Sequence, residues 1–382
     1  MAITELTAKS ILRKSSRVES WFLARYGMNL YRGCTHQCAY CDGRAEGYYV
    51  EGDFGTDIGV KVNAVDILRR ELDPARKRSP LKRGYVVVGG GVNDSYQPLE
   101  SRYCLTRRVL ELLEQHPFPV HVLTKSVLVE RDMDVLARIN AKTRAVVSFS
   151  FSSTSDETSG IFEPGASLPS QRLEAIRRFK QQGIACGMYL MPLVPFVTDL
   201  PAVLERTVRD ASEAGVDFIV YGGMTLKDGR QREHFDRVLS AHYPEHTNGY
   251  SILYRGDRLG RAVPEYYASI DQIMQPILQH YRIPQRMPRR LWWDFLDEND
   301  RVVVTLDFID HYLKAGGHTS PYGFAAYSIS QLKEPLSSMR RQLRQIKGVG
   351  EAIERVVLEI LDTGRSGLLQ RLAGSGPLRP VV

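Results

Sequence analysis

The sequence has few cysteines and no long apolar run. Five of its 382 residues are cysteine, an odd number, and three of these fall within eight residues, which does not suit a disulfide framework. No stretch approaches the roughly 18 consecutive apolar residues that a membrane helix needs. The first residues also lack the apolar core of a secretory signal peptide. We therefore expect a cytoplasmic protein with no membrane association.

Charge of either sign is moderate. Lys and Arg number 51 against 44 Asp and Glu, a formal net charge of +7, which favours polyanionic partners without requiring them. Basic residues concentrate at 69–83, at 282–290 and from Gln331 onwards. There is no internal repeat or low-complexity tract, and the composition is that of an ordinary globular protein.

From about residue 84, short β-branched runs alternate with amphipathic stretches. Strands are predicted at 85–89, 120–124, 144–149, 184–191 and 217–221, and helices at 103–114, 130–140, 170–182 and 199–214. An earlier strand is predicted at 28–31, with further helices at 231–242 and 264–280 and a last strand at 301–306. Repeated strand–helix units predict an α/β fold with a parallel sheet, either open or closed into a barrel.

In such folds, functional residues gather at the carboxyl ends of the strands. The residues that follow or end the predicted strands are Cys34, Cys38, Cys41, Gly89, Gly90, Gly91, Lys125, Ser148, Ser150, Met191 and Pro192. We expect them to face one mouth of the sheet.

Three cysteines, Cys34, Cys38 and Cys41, lie on one short segment. Thiolates at this spacing suit zinc or an iron–sulfur centre. A structural zinc site normally has four ligands, whereas a site that performs chemistry keeps one coordination position open. His36 is the one nearby side chain that could complete a zinc site, so a zinc-stabilised protein is an alternative.

The spacing Cys-x-x-x-Cys-x-x-Cys, with the aromatic Tyr40 before the last cysteine, resembles the radical S-adenosylmethionine superfamily. This resemblance implies that three thiolates bind three irons of a 4Fe-4S cluster and that the fourth iron binds S-adenosylmethionine (SAM). It further implies cleavage of SAM to a 5′-deoxyadenosyl radical, with an electron donor such as a flavodoxin or ferredoxin. The superfamily's core is a partial (β/α)6 TIM-like barrel, in agreement with the predicted pattern.

One branch, the spore photoproduct lyase family, is the most similar. The segments that carry this resemblance are Asn29–Cys34, Asn93–Glu100, Thr124–Lys125 and Phe162–Gly165, followed by Arg172. The resemblance implies that Gly89, Gly90 and Gly91 admit the methionyl end of SAM. It also implies that Lys125 and Ser148 contact its carboxylate or ribose, with Met191 near the adenine. Tyr40 and Ser150 are further predicted cofactor-binding residues.

Two departures separate the sequence from this family. The family's cysteine hydrogen donor corresponds to Gly91, and the tyrosine after the third cluster cysteine corresponds to Asp42, although Tyr40 remains for a radical relay. Cys104 and Cys186 are therefore candidate catalytic thiols. The alternative is that both are buried and inert.

The C-terminal segment around Lys347, Gly348 and Gly350 resembles a helix-hairpin-helix DNA-binding motif. Such a hairpin directs free backbone N–H groups towards a phosphate without recognising sequence. Additional DNA contacts are predicted for Arg289 and Arg290, in a basic groove with stacking surfaces formed by Arg286, Trp292 and Trp293. The alternative is an ordinary helical hairpin that caps the barrel.

The sequence therefore predicts four regions. They are an N-terminal extension (1–24), a radical SAM partial barrel (25–225), the remainder of the core (226–335) and a small all-helical DNA-binding domain (336–382). The leading hypothesis is a lyase-like radical SAM enzyme that repairs a damaged, pyrimidine photoproduct-like base in DNA. Alternatives are a radical SAM enzyme acting on RNA, a peptide or a small molecule, and a non-enzymatic zinc-stabilised nucleic-acid-binding protein.

Overall fold

Two sheets are present in the part of the chain that the structure, a computed structural model, describes: residues 2–46, 48, 52–75 and 81–374. Residues 76–80 of the predicted basic stretch lie outside the described residues, as do 375–382. The strands are β1 (Ala2–Leu6), β2 (Arg13–Glu19), β3 (Ala24–Met28), β4 (Tyr31–Arg32), β5 (Asp57–Lys61), β6 (Tyr85–Gly89), β7 (Val120–Thr124), β8 (Ala145–Phe151), β9 (Ala185–Leu193) and β10 (Phe218–Gly223).

The larger sheet has seven strands in the order β10-β9-β8-β7-β6-β3-β2. Neighbouring strands from β3 to β10 pair in parallel, and β2 adds an antiparallel edge. The sheet is curled into a half-barrel. The predicted α/β fold, a partial barrel with six parallel strands followed by a helical C-terminal part, is confirmed. A small sheet, β1-β5-β4, flanks the barrel.

The helices between the strands cover the outer face of the half-barrel, whereas those from Glu298 onwards form the C-terminal part. In chain order, the helices are α1 (Ala64–Leu72), α2 (Glu100–Tyr103), α3 (Leu105–Gln115), α4 (Met133–Lys142), α5 (Asp156–Phe162), α6 (Pro169–Gln181), α7 (Pro201–Ala214), α8 (Arg230–His242), α9 (Thr247–Leu253), α10 (Pro264–His280), α11 (Glu298–Ala315), α12 (Tyr322–Ser330), α13 (Glu351–Thr363) and α14 (Gly367–Gly374). Local signals set several ends: α7 begins with Pro201 and stops at Gly215, whose φ is +84°.

The central strands are buried on both faces, which explains their continuous apolar runs. Every residue of β6, β7 and β8 is buried, as parallel strands with covered faces require. On the outer face, side chains such as Val122 and Val147 join the core under the helices. On the concave face, Tyr85 and Tyr189 pack with Trp292 and Phe308 from the C-terminal part. These residues fill the barrel towards the amino ends of the strands and leave it open at the carboxyl ends.

The predicted strand at 301–306 is wrong. These residues lie inside α11, which begins after the N-cap Asp297, whose carboxylate accepts a hydrogen bond from the amide of Asp300. Val303 packs in the C-terminal core while Val304 packs in the concave core of the barrel. A helix that is buried on several sides loses its amphipathic pattern, so a run of valines resembles a strand.

The strand before the cysteine segment also differs from the prediction. β3 ends at Met28, where a strand at 28–31 is predicted, and only the two-residue β4 follows it. Arg25 interrupts the apolar pattern of β3, but its guanidinium is buried and pairs with Asp300 of α11. The sequence pattern therefore misses this strand, because the partner that allows Arg25 to be buried lies far away in the sequence.

None of the helices in the described ranges is long and apolar enough to cross a membrane.

Candidate active site

A cavity of about 380 Å³ opens at the carboxyl ends of the parallel strands. It brings together ten of the predicted residues: Cys34, Cys38, Tyr40, Cys41, Gly90, Gly91, Lys125, Ser150, Met191 and Pro192. These come from the cysteine segment and from the ends of β6 to β9, as the strand–helix pattern predicts. We call this cavity the cysteine pocket.

Backbone contacts with the end of α5 hold the cysteine segment. The amide of Ala39 donates to the carbonyl of Phe162 at 2.8 Å, and the amide of Gly165 donates to the carbonyl of His36 at 2.9 Å. A Cβ atom at Gly165 would lie 2.3 Å from the carbonyl oxygen of Thr35. Glycine is therefore required at 165 for the two segments to approach this closely.

Two buried amide side chains complete the support. The Gln97 side chain accepts from the Thr35 amide at 3.1 Å and donates to the Gly33 carbonyl at 3.3 Å. Gln231 Nε2 donates to the Tyr40 carbonyl at 3.0 Å. The cysteine segment is thus fastened to three separate parts of the fold, which restricts where its thiols can lie.

The three pocket cysteines are free, buried or half-buried thiols, the type of ligand that an iron–sulfur cluster requires. Burial is the main factor that raises the pKa of all three thiols, and it brings that of Cys38 to about 12. Binding several irons would supply the positive charge that buried thiolates need. Within the described residues, no group of three or more Cys, His, Asp or Glu side chains is arranged to hold a single metal ion. In a 4Fe-4S cluster each thiolate binds a different iron, so no such convergence is needed.

Asp94 joins the cysteine segment to the end of β7. Its carboxylate accepts from Thr124 Oγ1 at 2.8 Å and from the Lys125 amide at 2.7 Å, and His36 Nε2 lies 3.1 Å away. Burial opposes ionisation of this carboxyl, but His36 and the hydrogen bonds outweigh burial and lower the pKa of Asp94. Asp94 therefore acts as an ionised acceptor that orients the wall of the pocket.

A second buried carboxylate, Glu163, lies behind Lys125. Lys125 Nζ donates to Glu163 Oε1 and to Ser150 Oγ, both at 2.9 Å. Tyr40 and Arg172 also donate to this carboxylate. Burial opposes ionisation of Glu163, but the positive charges of Arg172 and Lys125 hold its pKa well below the usual range.

Two predicted cofactor residues lie next to the pocket without lining it. Ser148 Oγ is buried 2.8 Å from His121 Nε2. Gly89 has a φ of +89°, and a Cβ there would lie 2.5 Å from the Leu123 carbonyl oxygen. Gly89 therefore allows the end of β6 to close on β7.

The structure does not bring Cys104 and Cys186 to the pocket. Cys186 Sγ is buried on the outer face of β9, 3.9 Å from the Ile176 carbonyl oxygen of α6. Cys104 lies between α2 and α3, with its Sγ 3.6 Å from Arg131 Nη1. Neither position supports a role as a hydrogen donor to a pocket ligand.

Asp42 corresponds to the tyrosine that follows the third cluster cysteine in the similar family, and it stabilises the edge of the pocket. It accepts from Thr225 Oγ1 at 2.6 Å and pairs with Lys227 Nζ at 2.9 Å. A carboxylate here therefore links the cysteine segment to the chain after β10.

The sequence missed several residues of this site as functional residues. Asp94, Glu163 and Arg172 belong to segments that carry the family resemblance, but their shared role emerges only when distant segments meet. Phe22 is part of the predicted N-terminal extension, yet it lines the pocket and stacks on Tyr189, with ring centroids 5.0 Å apart. No local pattern predicts that this turn reaches into the barrel.

Part of the predicted basic groove at 286–293 is buried in the protein and so is not a surface. Trp292 is buried and donates to the Met287 carbonyl, and Arg286 is also buried, so neither presents a stacking surface. Arg289 stacks on Trp293, with its guanidinium carbon 3.8 Å from the ring centroid, and Arg290 pairs with Asp217 at 2.6 Å. Asp217 precedes β10, so Arg290 lies at the end of the sheet opposite to the pocket.

The predicted hairpin at Lys347 to Gly350 connects the 3-10 segment Leu336–Gln345 to α13. Gly348 has a φ of +85°, and a Cβ there would lie 2.5 Å from the ring of Phe324. Gly350 is the N-cap of α13. The hairpin packs through Ile346 and Val349 on α11 and α12 as part of a separate small core.

A half-barrel of parallel strands with three cysteines at its mouth is the architecture of a metal-dependent β/α-barrel enzyme. Residues 28–203 match the family model described as the radical SAM superfamily. An uncharacterized protein of Mycobacterium tuberculosis is 30% identical over 283 residues, 73% of this chain and 81% of its own length. An uncharacterized protein of Methanocaldococcus jannaschii is 25% identical over 248 residues, covering 65% and 86% of the two chains.

Solved structures of spore photoproduct lyase have a similar fold. A mutant of that enzyme matches with a TM-score of 0.53 and 19% identity, and the enzyme complexed with dinucleoside spore photoproduct matches with 0.52 and 18%. Both alignments cover 73% of this chain and 79% of the other. The chain belongs to the radical SAM superfamily, and it has the fold of spore photoproduct lyase. Membership implies a 4Fe-4S cluster and SAM as the cofactors.

Proposed function

We propose that this radical SAM enzyme acts on a base in DNA, in a lyase-type repair of pyrimidine photoproduct-like damage. The observation that carries the proposal is that a glycine hairpin with unpaired cations and exposed aromatic rings lies on the same chain as the cysteine pocket. The fold that the chain has in common with an enzyme complexed with dinucleoside spore photoproduct supports this substrate class.

The hairpin offers a place for a phosphate. The first amides of α13 have no carbonyl partner within the helix, and Gly350 precedes them without a side chain. Backbone N–H groups and the helix dipole at such a terminus attract anions. This type of contact would hold duplex DNA without recognising its sequence.

Charge and stacking surfaces accompany the hairpin. Among the described residues, Lys347, Arg341 and Arg355 form no ion pair within 4.0 Å, whereas Arg340 and Arg344 pair with carboxylates. On α12, Phe324 is 48% exposed and Tyr327, one turn later, is 52% exposed. Lys347 Nζ lies 5.6 Å from the Phe324 ring centroid, and cations beside exposed rings suit a strand whose bases are partly unstacked.

At the pocket, Cys34, Cys38 and Cys41 would hold the cluster, and Lys125 would contact the carboxylate of SAM. When bound, the cluster supplies the electron that cleaves SAM and so provides a 5′-deoxyadenosyl radical for hydrogen abstraction. A flavodoxin or ferredoxin would deliver that electron. The pocket walls would shield the radical from bulk water, and a damaged base would have to leave the stack to enter.

The hydrogen donor must differ from that of the family. Gly91 stands in the place of the cysteine donor, and the three cluster cysteines are the only thiols among the described pocket-lining residues. A product radical would therefore recover its hydrogen from a source other than a pocket thiol. This difference favours a lesion other than the spore-specific thymine dimer.

The proposal is tested by measuring 5′-deoxyadenosine release from anaerobically reconstituted protein. UV-irradiated DNA should stimulate release well above unirradiated DNA, tRNA or a peptide extract. Equal stimulation by tRNA or peptide, or none by irradiated DNA, would exclude the proposal and favour the corresponding alternative substrate. A colourless, iron-free protein after anaerobic preparation would instead favour the zinc-stabilised alternative.

The hairpin's role is tested separately by fluorescence anisotropy with labelled DNA. Gly350 has open space for a methyl group and a φ of −89°, so Gly350→Ala leaves the fold intact while obstructing a phosphate. We expect this variant, and Lys347→Gln, to weaken DNA binding and to flatten its salt dependence. The matched control is Arg340→Gln, because Arg340 is already paired with Asp362.

A further inference from the structure

We propose that Glu163 is a positioning residue that fixes the Lys125 ammonium and the Tyr40 phenol relative to the cysteine segment, and thereby sets the affinity for SAM. Its carboxylate accepts from four side chains: Tyr40, Lys125, Ser159 and Arg172. Each donor belongs to a different segment of the chain, so this one carboxylate connects the segments around the pocket.

The two oxygens of Glu163 have different partners. Oε1 accepts from Tyr40, which precedes the ligand Cys41, and from Lys125 Nζ at 2.9 Å. Oε2 accepts from Arg172 and from Ser159 Oγ at 3.2 Å. One oxygen therefore faces the pocket side, and the other is held by α5 and α6.

Arg172 makes this arrangement rigid. Its side chain is fully buried, and its Nε donates to the Ser167 carbonyl at 2.7 Å while Nη1 donates to the Ser150 carbonyl. A guanidinium with this many fixed acceptors has one orientation. The position of the Glu163 carboxylate therefore follows from the packing of α6 against β8.

This arrangement fixes the direction of the one N–H group of Lys125 that has no acceptor among the described residues. An ammonium has three N–H groups, and Glu163 and Ser150 accept two of them at 2.9 Å each. Lys125 lines the pocket and its side chain is 13% exposed. The third N–H group remains for an anionic ligand group such as the SAM carboxylate, without the entropy cost of ordering a free lysine.

The chain offers a matched control for burial and charge. Glu100 is also buried and accepts from Arg131, Tyr31 and the amides of Leu105 and Thr106. Within the described part of the chain, no lysine is among its hydrogen-bond or ion-pair partners, and it does not line the pocket. Glu100→Gln therefore removes a comparable carboxylate without disturbing Lys125 or Tyr40.

The test compares Glu163→Gln with Glu100→Gln in anaerobically reconstituted holoprotein. SAM affinity is measured by equilibrium dialysis, and the reduced cluster is examined by electron paramagnetic resonance with and without SAM. We expect Glu163→Gln to retain its iron, to bind SAM at least tenfold more weakly, and to lose most of the SAM-induced spectral change. Glu100→Gln should lower the melting temperature and leave SAM affinity unchanged.

Two further variants connect the effect to Lys125. Lys125→Met should weaken SAM binding to a similar extent, and the double variant should be no worse than either single variant, because both remove one interaction. Glu163→Asp keeps the charge but shortens the side chain, so several-fold weaker binding is expected even if the Gln variant fails to fold. Wild-type SAM affinity in Glu163→Asp or Glu163→Gln, or additive losses in the double variant, would overturn the proposal. No DNA is used, so the result is independent of the proposed DNA substrate.

Discussion

The two ends of the parallel sheet use the same types of charged residue in different ways. At the carboxyl ends, Lys125 is held by Glu163 but still lines the cysteine pocket. At the amino ends, Asp217 pairs with Lys180 at 2.7 Å and with Arg290 at 2.6 Å. Lysines at both ends keep a donor beyond their ion pairs. The difference lies in what surrounds that donor, because Lys125 shares its cavity with the three cysteines.

The largest expected effect at the pocket end is the loss of the cluster. Alanine at Cys34, Cys38 or Cys41 should abolish iron binding and reductive cleavage of SAM, because each thiolate is expected to bind a different iron. Visible absorption and iron analysis provide the measurement. Cys186→Ala and Cys104→Ser are the controls, since neither thiol lines the pocket, and loss of iron in these controls would contradict the assignment.

Alanine substitutions of Gly89 and Gly91, at the end of β6, should lower the unfolding free energy by different amounts. Gly89→Ala combines a positive φ with a Cβ 2.5 Å from a backbone oxygen, so we expect a cost of about 4 kcal/mol in unfolding free energy. Gly91→Ala has a positive φ of +72° but no atom within 4 Å of its Cβ, so about 1 kcal/mol is expected. Urea denaturation under anaerobic conditions compares the two, and equal costs would refute this account.

His121, near the amino end of β7, should affect stability through pH. Burial lowers the pKa of His121 to about 4 from an ordinary value of 6.5. The unfolded chain therefore binds more protons than the folded chain between these pH values. The stability that depends on neutral His121 is fully present above pH 6.5 and is lost as the pH falls towards 4. Linkage gives about 3 kcal/mol over this window.

The measurement is the pH dependence of the unfolding free energy in wild type and His121→Asn. Burial raises the pKa of Asp307 to about 6, which makes an opposite contribution in the same window, but it does so in both proteins. We expect a flatter profile for the variant. Identical slopes would mean that His121 is not buried in its neutral form.

The smallest effect is expected for Arg290 at the amino end. Its side chain is 58% exposed, and Asp217 keeps its ion pair with Lys180 when Arg290 is removed, so Arg290→Gln should change stability by about 0 to 1 kcal/mol. The same variant tests the predicted DNA contact, because loss of a phosphate contact would lower the slope of the salt dependence by about one. An unchanged slope would exclude Arg290 from the DNA surface.

The sequence alone determined the fold class and most of the pocket wall. Strand–helix alternation predicts a parallel sheet, and parallel strands place residues after their carboxyl ends at one edge. The pattern therefore placed Lys125, Ser150 and Met191 correctly beside the cysteines, because local periodicity and spacing are sufficient for this inference. The same local rules failed for 301–306, where burial on several sides of α11 removed the helical pattern.

Tertiary structure alone decided which charged side chains meet. Tyr40 and Glu163 are 123 residues apart, and Lys125 and Glu163 are 38 apart. It also brought Phe22 into the pocket and buried Trp292 in the concave core. A hydrogen bond between distant segments depends on how the chain packs, and residue type and local spacing carry no information about that distance.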